Sequence, residues 1–211
     1  MVGQQEQAAN ATETENTIQR FAEIAQPMIL DRFGAASCVA ATRVTLAVLR
    51  YLGISAEPCA CFVAVFDPAF VAVMASEGLT AREIQDKPKS FQREFRRRHP
   101  DSNSIVIGDV AEDGTPFPAH TVSIVERKHL LDLTIGQATH EKSGIYMPGT
   151  LWLEISEQFV DCGATFAQVN GCEVMYQSMP FIDFYRYKPQ WDKSLTAGMV
   201  EEILRRMKAK P

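Results

Sequence analysis

Apolar residues recur at steps of three and four in Ile18, Phe21, Ile24, Ala25 and Met28, the period of an amphipathic helix beginning near Glu15. Pro27 falls inside that stretch and has no N–H to donate, so a kink or break is expected there, with Gly34 ending the unit. A second stripe, Ala41, Val44, Val48 and Leu52, predicts a helix from about Ser37 to Leu52, with Arg43 and Arg50 turned away. Ser37 is a suitable N-cap and Gly53 a suitable stop, which puts Cys38 at or beside the first helical position.

Pro58–Phe66 is apolar on both parities, the pattern of a strand buried on both faces. Helical segments are expected around Ala69–Ser76 and Lys89–Arg98, the latter with Phe91 and Phe95 on one side. Ser104–Val110, Ala119–Val125 and Lys128–Leu133 read as strands. Leu151–Ile155, Thr165–Val169 and Cys172–Tyr176 are shorter strand candidates, and Leu195–Lys208 closes the chain as a helix. Gly136–Gly149, with three glycines and a proline, reads as a long loop and a candidate lid. Helices first and strands mostly later predict an α+β fold, one antiparallel sheet with helices packed on it. Residues 1–15 are polar and read as a disordered tail, leaving residues 16–211 as a single domain.

Composition narrows the function classes. A 46% apolar share suffices for a globular core, and a formal charge of −5 gives no footprint for nucleic acid or an anionic membrane. The basic run Arg96-Arg97-Arg98, with Arg93, reads as a solvated helix face. No stretch is long and apolar enough to span a membrane, and Met1–Asn16 lacks the basic-plus-apolar pattern of a leader. Five cysteines, an odd count without regular spacing, suit free thiols in a reducing compartment, so a cytoplasmic protein is expected. Cys59, Cys61, Cys162 and Cys172 contain no Cys-x2-Cys pair, and neither a metal nor an organic cofactor is expected.

The candidate chemistry is that of a thiolate. A helix N-terminus acidifies a cysteine through its unpaired N–H groups and its positive dipole end, and a neighbouring imidazolium acidifies it further. The imidazole in turn needs a carboxylate or amide to fix its tautomer. Cys38 at a helix start, His120 at a strand start and Asp132 on the next strand meet these needs in order. Side chains alternate faces along a strand, so His120 and Asp132 stand opposite each other only if their hairpin loop holds an odd number of residues, such as Val125-Glu126-Arg127. Asp132 lies between leucines, where a carboxylate is costly to bury unless paired. His99, His129 and His140 read as surface or peripheral residues.

The run from Cys38 to Ala56, CVAATRVTLAVLRYLGISA, resembles the nucleophile helix of transglutaminase-like and papain-like proteins, in which a cysteine starts a helix ending in a Leu-Arg-x-Leu-Gly-Ile-x-Ala phrase. His120-Thr-Val-Ser-Ile-Val and Leu130-Leu-Asp132-Leu-Thr134 are similar to that family's His strand and Asp strand. The matching pieces cover about a third of the chain, from Gly34 to Phe66 and from Pro118 to Gln137. The chain departs from the pattern in carrying Val39 after the cysteine and Arg32 six residues before it, and no tryptophan follows His120.

The resemblance implies a papain/transglutaminase-like fold and a Cys38–His120–Asp132 triad for acyl transfer on a peptide, amide or acyl substrate. Water as acceptor makes a cysteine peptidase or amidase, and an amine makes a transglutaminase-like enzyme. The backbone N–H of Cys38 is the obvious first oxyanion donor; Gln26 and Gln137 are candidates for the second. The alternative is a catalytically inactive binding or structural module on the same fold. The aromatic cluster Phe181, Phe184, Tyr185, Tyr187 and Trp191 reads as core closure, or else as a groove lining. Oligomeric state is not legible.

Overall fold

A computed structural model describes residues 2–34, 37–85, 87–110, 116–118, 120–180 and 182–209, with side chains from Glu13 onward except those of residues 85, 89, 108–110 and 116–118. Ala35, Ala36, Ala119 and Phe181 lie outside these residues. The architecture is α+β, with helices packed on an antiparallel, barrel-like sheet.

Strand β1 (Ala56–Phe66) is the axis of the sheet. Along one edge its first half pairs β4 (His120–Val125) and its second half pairs β2 (Ser104–Val110); β8 (Cys172–Ser178) pairs the other edge. The sheet continues from β2 to β3 (Pro116–Pro118), from β4 through β5 (His129–Asp132) to β6 (Leu151–Glu154), and from β8 to β7 (Ala164–Val169). Cys59, Cys61, Val63 and Val65 of β1 face an inner core with Val122, Ile124, Leu130 and Tyr176. Phe62, Ala64 and Phe66 face the opposite side, under the helices that follow β1. Burial on both faces is why β1 is apolar on both parities.

Helix α1 (Val2–Phe33) covers the segment for which composition predicts a tail, and its backbone is helical from Val2; Gln, Glu and Ala there are good helix formers. The helix also runs unbroken through Pro27. That proline is exposed, so the carbonyl it leaves unpaired can turn to water. Ile18, Phe21, Ala25 and Ile29 of α1 pack on Val44 and Val48 of α2 (Cys38–Tyr51), with Leu131, Leu133 and two residues of α7 (Lys193–Lys208), Met199 and Ile203. Each such side chain taken fully from water contributes on the order of 1.5–3 kcal/mol. Their sum holds α2 against the outer face of β4 and β5.

Three helices cap the other end of β1: α3 (Pro68–Ser76), α4 (Ala81–Gln85) and α5 (Lys89–Arg98). Asp67 caps α3 by accepting from the Phe70 N–H at 2.6 Å, and Phe95 of α5 is fully buried against Phe70. The arginines on the solvent side of α5 are engaged locally: Arg97 with Glu94, Arg98 with Glu77, and Arg96 with the Ser104 hydroxyl. A short helix α6 (Glu157–Val160) follows β6. Helix α4, helix α6 and strand β3 are five residues or shorter, below the reach of a periodicity argument. No helix among the described residues is long and apolar enough to cross a membrane.

Candidate active site

Cys38 is the first residue of α2, the position expected from a Ser37 cap followed by the stripe from Ala41 to Leu52. Ser37 does not cap it: its side chain makes no cap hydrogen bond, and its buried hydroxyl has no partner. The helix start is held instead from one turn in, where the Thr42 hydroxyl donates to the Thr121 carbonyl of β4 at 3.0 Å. That bond sets the first turn of α2 over the beginning of β4. The Cys38 sulfur there accepts from the Thr121 N–H and is hydrogen-bonded to the His120 imidazole.

His120 and Asp132 come together by a register slightly different from the expected one. The β4–β5 hairpin loop does hold an odd number of residues, but they are Glu126, Arg127 and Lys128, between the paired Val125 and His129. Glu126 and Arg127 adopt left-handed φ values of 52° and 55°, which non-glycine residues rarely take. Glu126 is tied to Ser55 by its own N–H at 2.9 Å and by its carboxylate at 2.7 Å, which offsets that strain. With Ser123 opposite Leu131, the position across from Asp132 is Val122, so His120 reaches Asp132 diagonally. Both side chains share the inner face, and His120 Nε2 donates to Asp132 Oδ2 at 2.7 Å.

The carboxylate is fully buried and fully bonded. Oδ2 also accepts the Tyr176 phenol at 2.9 Å, and Oδ1 accepts the Thr134 N–H at 2.8 Å and the Thr134 hydroxyl at 3.1 Å. Tyr176 was not singled out by the sequence. The available signal was a tyrosine in a strand buried on its tyrosine-bearing face, because a buried phenol needs an acceptor.

These contacts set the charges. Burial pushes the Asp132 carboxyl up, but the imidazolium of His120, Thr134 and Tyr176 outweigh it and hold the group below its ordinary value. Burial pushes His120 down, yet the charge and hydrogen bond of Asp132, with those of Cys38, raise it to about 10. Burial likewise raises the Cys38 thiol, and the His120 hydrogen bond and charge with the Thr121 N–H bring it below its ordinary value. Burial, then the Asp132 charge, keep Tyr176 well above its usual range, so it remains a donor. The arrangement favours a thiolate–imidazolium pair over a neutral one.

The two glutamines part ways. Gln137 stands on the single turn Ile135–Ala138 with its side-chain amide 3.0 Å from His120 Nδ1, the ring nitrogen that Asp132 leaves to the thiol; the amide N–H donates there only while Nδ1 is unprotonated, and the amide oxygen is the end that accepts from a charged ring. Gln26 is not brought to the triad. It lies against Gly149 in a cleft of about 630 Å³ between α1 and β5–β6, lined by Leu131 rather than its neighbour Asp132, and therefore on the other sheet face. The loop after Asp132 borders the site through Gln137, but buried Ile135, Ala138, Ile145 and Met147 pin it to the core, which is not the packing of a lid. The residues over the thiol are instead Tyr185, Phe184 and Trp191, which pack with Cys38, Val39 and Ala60 and leave Cys38 only 7% exposed. Three of the five aromatics, Phe184, Tyr185 and Trp191, thus pack at the site itself, while Tyr187 is exposed and Phe181 lies outside the described residues. His99 bonds Glu77, His129 stacks on Trp152 and His140 bonds Ser143, and none joins the triad. Among the described residues no three His, Cys, Asp or Glu side chains are grouped as a metal site.

Compared with protein-family models, with curated proteins and with solved structures, the chain matches none of them.

Proposed function

We propose that the protein is a thiol-dependent acyl-transfer enzyme with a papain/transglutaminase-like catalytic arrangement. The carrying observation is the His120 imidazole, held between the Asp132 carboxylate and the Cys38 thiol in a site that favours their charged forms. In this reading the Cys38 thiolate attacks a carboxamide or ester carbonyl, and its lone pair forms the new C–S bond. The carbonyl oxygen gathers negative charge against the Cys38 N–H, one of the helix-start donors without an intrahelical acceptor. Gln137, whose side-chain amide lies beside His120, is the candidate for the second donor. His120 Nδ1–H protonates the departing amine or alcohol, and the thioester is then resolved by water or by an amine activated by the same imidazole. Asp132 keeps Nε2 protonated and so leaves Nδ1 for this shuttle.

The near-complete burial of Cys38 under Tyr185, Phe184 and Trp191 favours a second reading, a module that keeps the constellation without turnover. Site-resolved alkylation with iodoacetamide at neutral pH separates the two. A catalytic Cys38 reacts at least about tenfold faster than Cys59, Cys61, Cys162 and Cys172, and Cys38→Ser abolishes hydrolysis across a panel of small amides and thioesters with the fold unchanged. A Cys38 no faster than the other thiols sinks the enzyme reading.

A further inference from the structure

Cys38 is 7% exposed, too little for a carbonyl carbon to approach its sulfur, so attack on any substrate needs the cover to move. That cover is the stretch 182–191, between β8 and α7. It contains two single turns, Phe184–Tyr187 and Pro189–Trp191, and lays Phe184, Tyr185 and Trp191 on Cys38, Val39 and Ala60.

The ends of this stretch are fixed to the body. The Met179 N–H donates to the Ala60 carbonyl of β1 at 2.8 Å, and the Asp192 carboxylate caps α7 by accepting the Ser194 N–H at 2.8 Å. Between these anchors the backbone hydrogen bonds are internal. The N–H groups of Arg186, Lys188 and Trp191 donate to the carbonyls of Asp183, Tyr185 and Lys188 at 2.9, 3.1 and 2.9 Å, and Arg186 is also ion-paired with Asp183. What presses the stretch onto the body is side-chain contact. Three aromatic rings pack over the thiol, and the Arg43 guanidinium of α2 lies 5.6 Å from the centre of the Trp191 ring. Arg43 Nε is buried without a hydrogen-bond partner, so at that nitrogen the ring stands where a carboxylate would otherwise be expected. Arg186, Tyr187 and Lys188 are exposed and stay solvated wherever the stretch lies.

We propose that residues 182–191 are a hinged lid, with Phe184, Tyr185 and Trp191 closing over Cys38 and Arg43 holding the closed position through Trp191. Opening turns the stretch about its anchored ends with its own turns intact, and it costs the burial of the rings and the cation–π contact. The role of the lid rests on the acyl-transfer reading. The open form admits the acyl group, and the closed form keeps bulk water from the thiolate–imidazolium pair.

The test reads access to Cys38 rather than turnover, so a lid over an inactive module gives the same result and the two readings fail separately. Alkylation of Cys38 by iodoacetamide is measured against the exposed Cys162 of the same chain. In Trp191→Ala the Cys38 rate is expected to rise at least about tenfold, with Cys162 unchanged and the pH midpoint of Cys38 unmoved. Arg43→Met should give a smaller rise of the same kind. No rise in either variant overturns the proposal, as does a rise that comes with a shifted midpoint, because acidity rather than access would then have changed. A second measurement needs no substitution in the lid or its latch. N-ethylmaleimide on Cys38 fills the space under the rings, so tryptic cleavage after Arg186 should quicken at least about tenfold in the labelled parent, and not in Cys38→Ser treated in the same way. Equal cleavage in the two proteins is the opposite result and removes the lid.

Discussion

Tyr176 donates its phenol proton to Asp132 over 2.9 Å, onto the same carboxylate oxygen that receives the His120 Nε2–H at 2.7 Å. A strand from the far edge of β1 thereby supports a residue of the β4–β5 hairpin across the inner core. Tyr176→Phe keeps the ring and removes one of four donors to a buried carboxylate. A loss of about 2 kcal/mol in unfolding free energy is expected, read by urea denaturation. A variant as stable as the parent would mean that the phenol contributes nothing net.

Asp132→Asn keeps the shape of the side chain and takes away its charge. His120 then loses the leading attraction that raises it, and the imidazolium in turn stops acidifying Cys38. Alkylation of Cys38 at pH 7 should slow by about tenfold or more, since one pKa unit is a tenfold change in thiolate. An unchanged rate removes Asp132 from the triad.

The pH dependence of Cys38 alkylation is expected to have two stages, one for each partner of the pair. The rate should rise through a midpoint below the ordinary thiol value, where the Cys38–His120 pair forms, and that pair persists until His120 deprotonates near 10. Such coupled midpoints belong to the pair rather than to one residue. A single rise at the ordinary thiol value contradicts the site as described.

Stability should follow the same groups. The raised His120 contributes stability that is complete below the ordinary imidazole value and is lost as pH rises through about 10. The depressed Asp132 contributes stability that is present above the ordinary carboxyl value and lost as pH falls through its lower folded value. Thermal melts should therefore fall toward both extremes. A His120→Asn protein should show a flatter alkaline limb, and an equally steep one would place the loss elsewhere.

Thr42→Val removes the hydroxyl that ties α2 to the Thr121 carbonyl while keeping the side-chain volume. A cost of about 1 kcal/mol is expected from the lost bond, together with slower Cys38 alkylation as the sulfur drifts from the Thr121 N–H. Slower alkylation without any loss of stability, or the reverse, would separate the two roles given to that bond.

The stripe from Ala41 to Leu52 by itself determined a helix just after Cys38, because a period of 3.6 residues needs only local backbone geometry to appear in the chain; its first residue was expected from a Ser37 cap that the structure does not make. The two-parity apolar run determined β1 in the same way, whereas the loop parity that puts His120 and Asp132 on one face was open in the sequence and is odd in the structure. What local pattern could not contain was the exact register of the hairpin. That register depends on Glu126 and Arg127 accepting left-handed backbone in exchange for the two bonds to Ser55, some seventy residues earlier in the chain. Tertiary structure alone brought Tyr176 under Asp132, separated Gln137 from Gln26 by a sheet thickness, and laid Tyr185 and Trp191 over the thiol. Each of these follows from which strand edges and helix faces meet. That is decided by burying apolar area between elements far apart in sequence, and it leaves no period in the chain to read.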